Sequence, residues 1–179
     1  VDVKCEYLQN PIDIGRKSPR FGWIVQSDNR NVIQVAYELQ VSNFEDFEIL
    51  LWSTGKVQSD ESTHVYYEGP ELESSTRYYF RVKIWDNHGE SSDYSEISFF
   101  ETTLLSSCEW RAKFITPETT DDGKSSKGRL LRKEFDLYGE VESARVYVTA
   151  LGMYEVYING KRVGDALFTP GWTAYKNRL

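Results

Sequence analysis

Apolar and polar residues alternate with a period of two along much of this chain. Between positions 77 and 86, Tyr78, Phe80, Val82 and Ile84 fall on one side and Tyr79, Arg81, Lys83 and Trp85 on the other, the pattern of a strand with one buried face. Val35, Tyr37, Leu39 and Val41 repeat the alternation, and Phe21-Gly22-Trp23-Ile24-Val25 supplies an earlier strand. A turn at Asp86-Asn87-His88-Gly89 leads to a closing strand over residues 94–101. In the last third, Leu131, Lys133, Phe135 and Leu137 share one face of a strand. Ala144, Val146 and Val148 alternate with Arg145, Tyr147 and Thr149 in a second, and Tyr154, Val156 and Ile158 alternate with Glu155 and Tyr157 in a third. Asn159-Gly160 then supplies the two positive-φ residues of a type I′ turn, and Lys161-Arg162-Val163 returns as the partner strand. No segment carries convincing helical periodicity.

These runs organise into two units. Leu72 stands six residues before Tyr78, with Ser74-Ser75-Thr76 between them, an arrangement that resembles the tyrosine corner of immunoglobulin and fibronectin type III sandwiches. The strand spacing predicts a seven-stranded sandwich over residues 1–103, with Trp52 and Trp85 expected to pack against the sheet rather than to offer a sugar platform. Residues 104–109 read as a connector, and Trp110 opens a second unit running to 179. Residues 118–128 contain no apolar side chain and are expected to form a solvated surface loop. Asp121-Asp122-Gly123 within it lacks the further oxygen ligands of a calcium loop.

Composition narrows the class. Twelve Tyr, nine Phe and five Trp against one Met suit pleated, half-buried surfaces and mark the chain as all-β. The net charge of −7 and the lack of any run of five like charges exclude a phosphate-backbone reader, so no nucleic-acid partner is expected. No apolar run approaches the roughly 18–20 residues of a membrane span. The opening Val1-Asp2-Val3-Lys4 carries no export signal, which favours a cytoplasmic over a secreted location. Cys5 and Cys108 match no metal spacing and bracket the first sandwich, whose first and last strands belong to different sheets; free thiols are expected. His64 and His88 have no metal-ligand partner at useful spacing.

Candidate chemistry concentrates after the Asn159-Gly160 turn. Gly164-Asp165 is followed by Thr169-Pro170-Gly171-Trp172-Thr173-Ala174-Tyr175 and a basic tail ending Lys176-Asn177-Arg178-Leu179. Asp165, Trp172, Tyr175 and Arg178 combine exposed rings with hydrogen-bonding groups, the set that a sugar's C–H face and hydroxyl edge require. The competing reading packs Trp172 under the turn and pairs Arg178 locally. The run from Ala150 to Asp165 and the Pro170–Tyr175 segment resemble the N-terminal region of bacterial α-L-rhamnosidases. So do Glu6-Tyr7-Leu8 with Asn10-Pro11, Pro19-Arg20-Phe21-Gly22-Trp23, Gln34-Val35-Ala36-Tyr37, Leu51 to Val57, Ile84-Trp85-Asp86, Trp110 to Ile115 and Leu130 to Phe135. The similarity covers essentially the whole chain. Ala174 departs from it where an acidic residue is expected, which weakens a ligand-binding carboxylate there.

The resemblance implies an all-β chain: an immunoglobulin/fibronectin type III-like sandwich followed by a partial antiparallel, galactose-binding-like jelly roll. A jelly roll has eight strands in two sheets, so about 70 residues are expected to hold only its opening part. The family's reaction is inverting hydrolysis of terminal α-L-rhamnosyl groups by carboxylates of a downstream helical barrel. No catalytic residue therefore carries over, and the chain is expected to be an inactive accessory piece that meets carbohydrate through its parent enzyme. No cofactor is expected in it, although jelly-roll modules of some relatives bind rhamnose with calcium. An unpartnered second unit is expected to self-associate. Two other readings stand beside this one: a structural or adhesive array of sandwiches, and a carbohydrate-binding module of another glycosidase such as a β-galactosidase.

Overall fold

The computed structural model describes residues 2–116, 128–171, 173, 174 and 176. Contacts divide the chain into two compact units, Val1–Arg111 and Ala112–Leu179. The first holds seven strands: β1 (Asp2–Cys5), β2 (Arg20–Ile24), β3 (Gln34–Ser42), β4 (Trp52–Ser53), β5 (Val65–Tyr66), β6 (Arg77–Asp86) and β7 (Ser98–Glu101). One sheet has the order β1-β2-β5 and the other β4-β3-β6-β7, with every pairing antiparallel.

Alternation sends one side chain in two into the space between the sheets. From β2 come Phe21 and Trp23, from β6 Tyr78, Phe80, Val82 and Ile84, and from β7 Phe100, all buried. Phe21 packs on Phe80 and Phe100 with ring centroids 4.9 and 5.7 Å apart, so rings from both sheets meet at the centre of the core. Trp23 lies edge-on to Tyr37, and its indole N–H donates to Gln34 Oε1 at 2.8 Å. The buried Gln34 amide in turn donates to the Glu61 carbonyl at 2.8 Å, so the polar atoms brought in with the indole are satisfied.

The corner forms as expected. Tyr78 stacks on Phe100, and its hydroxyl accepts a hydrogen bond from the Glu73 backbone N–H at 2.8 Å. Fully buried Thr102 closes the other side, its hydroxyl donating to the Glu73 carbonyl and accepting from the Thr76 N–H. Both cysteines are free, Cys5 buried in β1 and Cys108 exposed in the 3-10 turn Ser107–Glu109.

Three expectations for this unit need correction. Val35 is exposed, because a bulge between Gln34 and Ala36 shifts the register; Gln34 takes the inward position to meet Trp23. The closing strand starts at Ser98 rather than at 94, because the Ser92 and Ser95 hydroxyls accept from the Ile84 and Val82 N–H groups where main-chain carbonyls would continue the ladder. Trp52 packs partly buried against the core and edge-on to Tyr67, but Trp85 lies on the outer face of its sheet.

In the second unit the Asn159-Gly160 hairpin is present, with β8 (Tyr157–Ile158) paired to β9 (Lys161–Arg162) and φ angles of 49° and 78° at the turn. The strands expected over 131–137 and 144–149 are absent among the described residues. Their alternation is real, but a strand also requires a ladder neighbour, and none of the described residues supplies one. Phe135, Leu137 and Val146 are consequently exposed. The polar stretch 118–128 lies, apart from Gly128, outside the described residues.

Candidate functional site

Among the described residues of the second unit a small concavity opens, and it is the hairpin that shapes it. Beyond β9, the Val163 N–H donates to the Val156 carbonyl at 2.8 Å, extending the pairing. The chain then turns at Gly164, where φ is 75°, and folds back on the start of the hairpin. There the Tyr154 N–H donates to the Thr169 carbonyl at 2.8 Å, and the Thr169 hydroxyl returns a bond to the Tyr154 carbonyl at 3.0 Å. The Arg162 guanidinium bridges the same loop by donating to the Ala166 carbonyl at 2.8 Å.

A pocket of about 120 Å³ opens between these segments, walled by Val146, Val148, Val156 and Val163 and edged by Glu155 and Arg162. Glu155 and Arg162 face each other at 3.6 Å, and the Tyr157 hydroxyl donates to Glu155 at 2.9 Å. That hydrogen bond to a carboxylate raises the Tyr157 phenol pKa. The pocket thus pairs an apolar wall with one carboxylate, one guanidinium and the Tyr154 phenol, groups that can hydrogen-bond hydroxyls, but among the described residues it lacks the two opposed carboxylates of a glycosidase.

Of the predicted site residues, Asp165 is exposed and adjoins Ala166 at the pocket wall. Trp172, Tyr175 and Arg178 lie outside the described residues. Sequence reasoning missed Glu155 and Arg162, although their signal was present: Arg162 pairs with Tyr157 across the hairpin and Glu155 stands two residues before Tyr157, so the turn type that fixes the register sets the two diagonally on one side.

The first unit presents a different surface. On the outer face of β3 and β6, Arg81 lies between the Phe47 and Tyr94 rings at 4.2 and 4.1 Å. Trp85 is covered by Lys56 at 4.4 Å and flanked by Lys83 at 5.5 Å. Gln40 and Tyr94 both donate to Glu38. Burial pushes the Glu38 pKa up, but donation from Gln40, Ser53 and Tyr94 and the Lys83 charge outweigh it, and the net shift is downward. With its ring occupied by cations, Trp85 offers no open stacking platform. Among the described residues no cluster of three or more His, Cys, Asp or Glu is placed to hold a metal ion, and no helix is long and apolar enough to cross a membrane.

Residues 1–106 match the family model described as the Rha78A-like, N-terminal immunoglobulin domain. The chain belongs to that family. Residues 139–179, which include the hairpin and its pocket-forming loop, match the α-L-rhamnosidase N-terminal domain. An α-L-rhamnosidase of Formosa agariphila is 35% identical over 192 aligned residues, covering 93% of this chain and 20% of that protein. The structure of α-L-rhamnosidase from Dictyoglumus thermophilum superposes with a TM-score of 0.86 at 36% identity, over 98% of this chain and 22% of that one. The Streptomyces avermitilis α-L-rhamnosidase complexed with L-rhamnose is 35% identical over 63% of this chain and 11% of its own, with a TM-score of 0.61. This rhamnosidase-family chain therefore spans about a fifth of the length of the curated relatives it matches.

Proposed function

We propose that this chain is the N-terminal accessory region of an inverting α-L-rhamnosidase that releases terminal α-L-rhamnose from glycosides or polysaccharides. The observation that carries this reading is the pair of successive rhamnosidase N-terminal matches, over 1–106 and 139–179, in one chain. The reaction itself belongs to carboxylates outside residues 1–179. An inverting glycosidase needs an acid and a base on opposite sides of the scissile bond, roughly 6.5–9.5 Å apart, and the hairpin pocket brings one carboxylate, Glu155, already facing Arg162. The second unit is the opening part of a jelly-roll module whose hairpin and following loop, with Asp165, Trp172, Tyr175 and Arg178, contact carbohydrate. In this chain by itself neither a metal ion nor an organic cofactor takes part, and neither nucleic acid nor membrane is a partner.

A chromogenic α-L-rhamnoside tests the assignment in two arms. The isolated chain is expected to release no chromophore, and the same chain within its full-length protein is expected to release it. Turnover by the isolated chain that disappears on Glu155→Gln would overturn the accessory role, and a full-length protein inert on the rhamnoside would overturn the family activity for this member.

A further inference from the structure

The outer face of the β1-β2-β5 sheet carries a second concavity, built around an omitted side chain. Along β2, Arg20, Gly22 and Ile24 point away from the buried Phe21 and Trp23, and Lys4 of β1 stands opposite Gly22. Because Gly22 has no Cβ, bare backbone floors a pocket of about 130 Å³ lined by Lys4, Tyr7, Arg20, Ile24 and His64. An added Cβ would lie 3.3 Å from the Ser62 carbonyl oxygen and 3.6 Å from Thr63 Cα, so this floor tolerates little else. The volume falls well below the roughly 300–1,000 Å³ of sites for drug-sized ligands, which suits one ring rather than a chain of them.

One end of the pocket is held in a costly conformation. Tyr7 and His64 both have left-handed backbones, with φ of 66° and 58°, and Glu6 before them has φ of 48°. Each such residue is strained and persists only where its surroundings over-determine it. Here the determinants are visible: Cys5 and Leu8 exchange backbone hydrogen bonds at 3.0 and 2.9 Å, and the Glu6 N–H donates to the Arg20 carbonyl at 2.8 Å. The result sets the Tyr7 and His64 rings edge to face, centroids 5.8 Å apart, with the Tyr7 hydroxyl hydrogen-bonded to His64 Nε2. Arg20 is fixed beside them, its guanidinium held by both Glu6 oxygens and lying 4.9 Å from the Tyr7 ring centre. Two N–H groups of its Nη1 are not used in the Glu6 fork, and Lys4 adds an ammonium.

Two exposed rings held against their backbone preference, an apolar Ile24 wall, a peptide floor and cationic donors at the rim match a pyranose that turns a C–H face inward and hydroxyl groups outward. We propose that this pocket is a carbohydrate subsite of the immunoglobulin-like unit, taking a single 6-deoxypyranosyl residue such as rhamnosyl, separate from the hairpin pocket. The 6-methyl group of such a sugar meets Ile24, where a hydroxymethyl group would leave an oxygen unpaired. The choice of sugar rests on the rhamnosidase reading; the pocket does not.

The test follows backbone amide NMR shifts of the 1–179 chain during titration with methyl α-L-rhamnopyranoside and, in parallel, methyl α-L-mannopyranoside. Saturable shifts at Lys4, Tyr7, Gly22, Ile24 and His64 are expected with the rhamnoside. Tyr7→Gly and His64→Gly each remove a ring while relieving a left-handed backbone, so binding should weaken about tenfold with the thermal midpoint held or raised. Gly22→Ala should weaken it similarly by filling the floor. Shifts absent from these amides, or surviving undiminished in Tyr7→Gly and Gly22→Ala, would overturn the subsite and leave the rhamnosidase reading to its own hydrolysis assay. Equal affinity for the mannoside would overturn the 6-deoxy preference.

Discussion

At Tyr78 a single side chain closes the sandwich twice, once through its ring against Phe100 and once through its hydroxyl, which accepts from the Glu73 N–H. Removing only the oxygen in Tyr78→Phe should cost about 0.5–2 kcal/mol, read as a lower denaturant midpoint at unchanged slope. A midpoint equal to wild type would mean that the corner bond contributes nothing. Glu6 supplies a test with pH. Hydrogen bonding from the Arg20 side chain is the largest influence on its carboxyl; burial opposes it, and the Arg20 N–H and the Arg20 and Arg16 charges add to it, so the folded-state pKa is depressed. A carboxyl depressed on folding adds stability above its unfolded pKa, about 4.3 for Glu, and that stability drains away as pH falls through the folded value. Glu6→Gln should therefore lower the thermal midpoint at neutral pH, and the gap from wild type should close as the pH falls below about 4. A gap that stays constant from pH 7 to pH 3 would show that the charge is immaterial.

Among the elements, β6 was the most legible, because its alternation, its turn and its tyrosine corner all agree. The β3 bulge was not. Period-two counting placed apolar Val35 inside, whereas the indole of Trp23, eleven residues before Gln34, draws that amide inward and turns Val35 out. A polar residue that wins a core position through a distant partner leaves no trace in local hydrophobicity. Strands over 131–137 and 144–149 failed for the converse reason: their local pattern is correct, but pairing is a property of neighbours. The hairpin was legible because Asn159-Gly160 encodes its own register, but the pocket beside it was not, since Glu155 and Arg162, which edge it, were not anticipated and Asp165 stands next to its lining residue Ala166 rather than in it. Gly160 has φ of 78°, and Gly160→Ala should destabilise the hairpin by about 1–2 kcal/mol. The readout is faster amide exchange at Val163, whose N–H bonds Val156; unchanged exchange would show that the turn does not hold the pairing.

Over the whole molecule, the two units differ in how they use their apolar side chains. Among the described residues the first buries eighteen of them, whereas the second leaves Phe135, Leu137, Val146, Leu151 and Phe168 more than half exposed. At roughly 25 cal/mol per Å² of apolar surface removed from water, covering a few hundred Å² contributes several kcal/mol toward association. We propose that the isolated chain self-associates through the unit Ala112–Leu179. Sedimentation should show concentration-dependent dimers for 1–179 and monomers for residues 1–111, and a monomeric full chain would refute it. The two free thiols described above also turn the sandwich into its own clock. Cys108 is exposed, while Cys5 sits wholly buried in β1 with its thiol pKa raised by burial. A thiol reagent therefore marks the first site in the native state, but it reaches the second only when β1 detaches from β2. The lag between one label and two, followed by mass, reads the opening rate of the strand that anchors Glu6 and Tyr7, without any engineered probe.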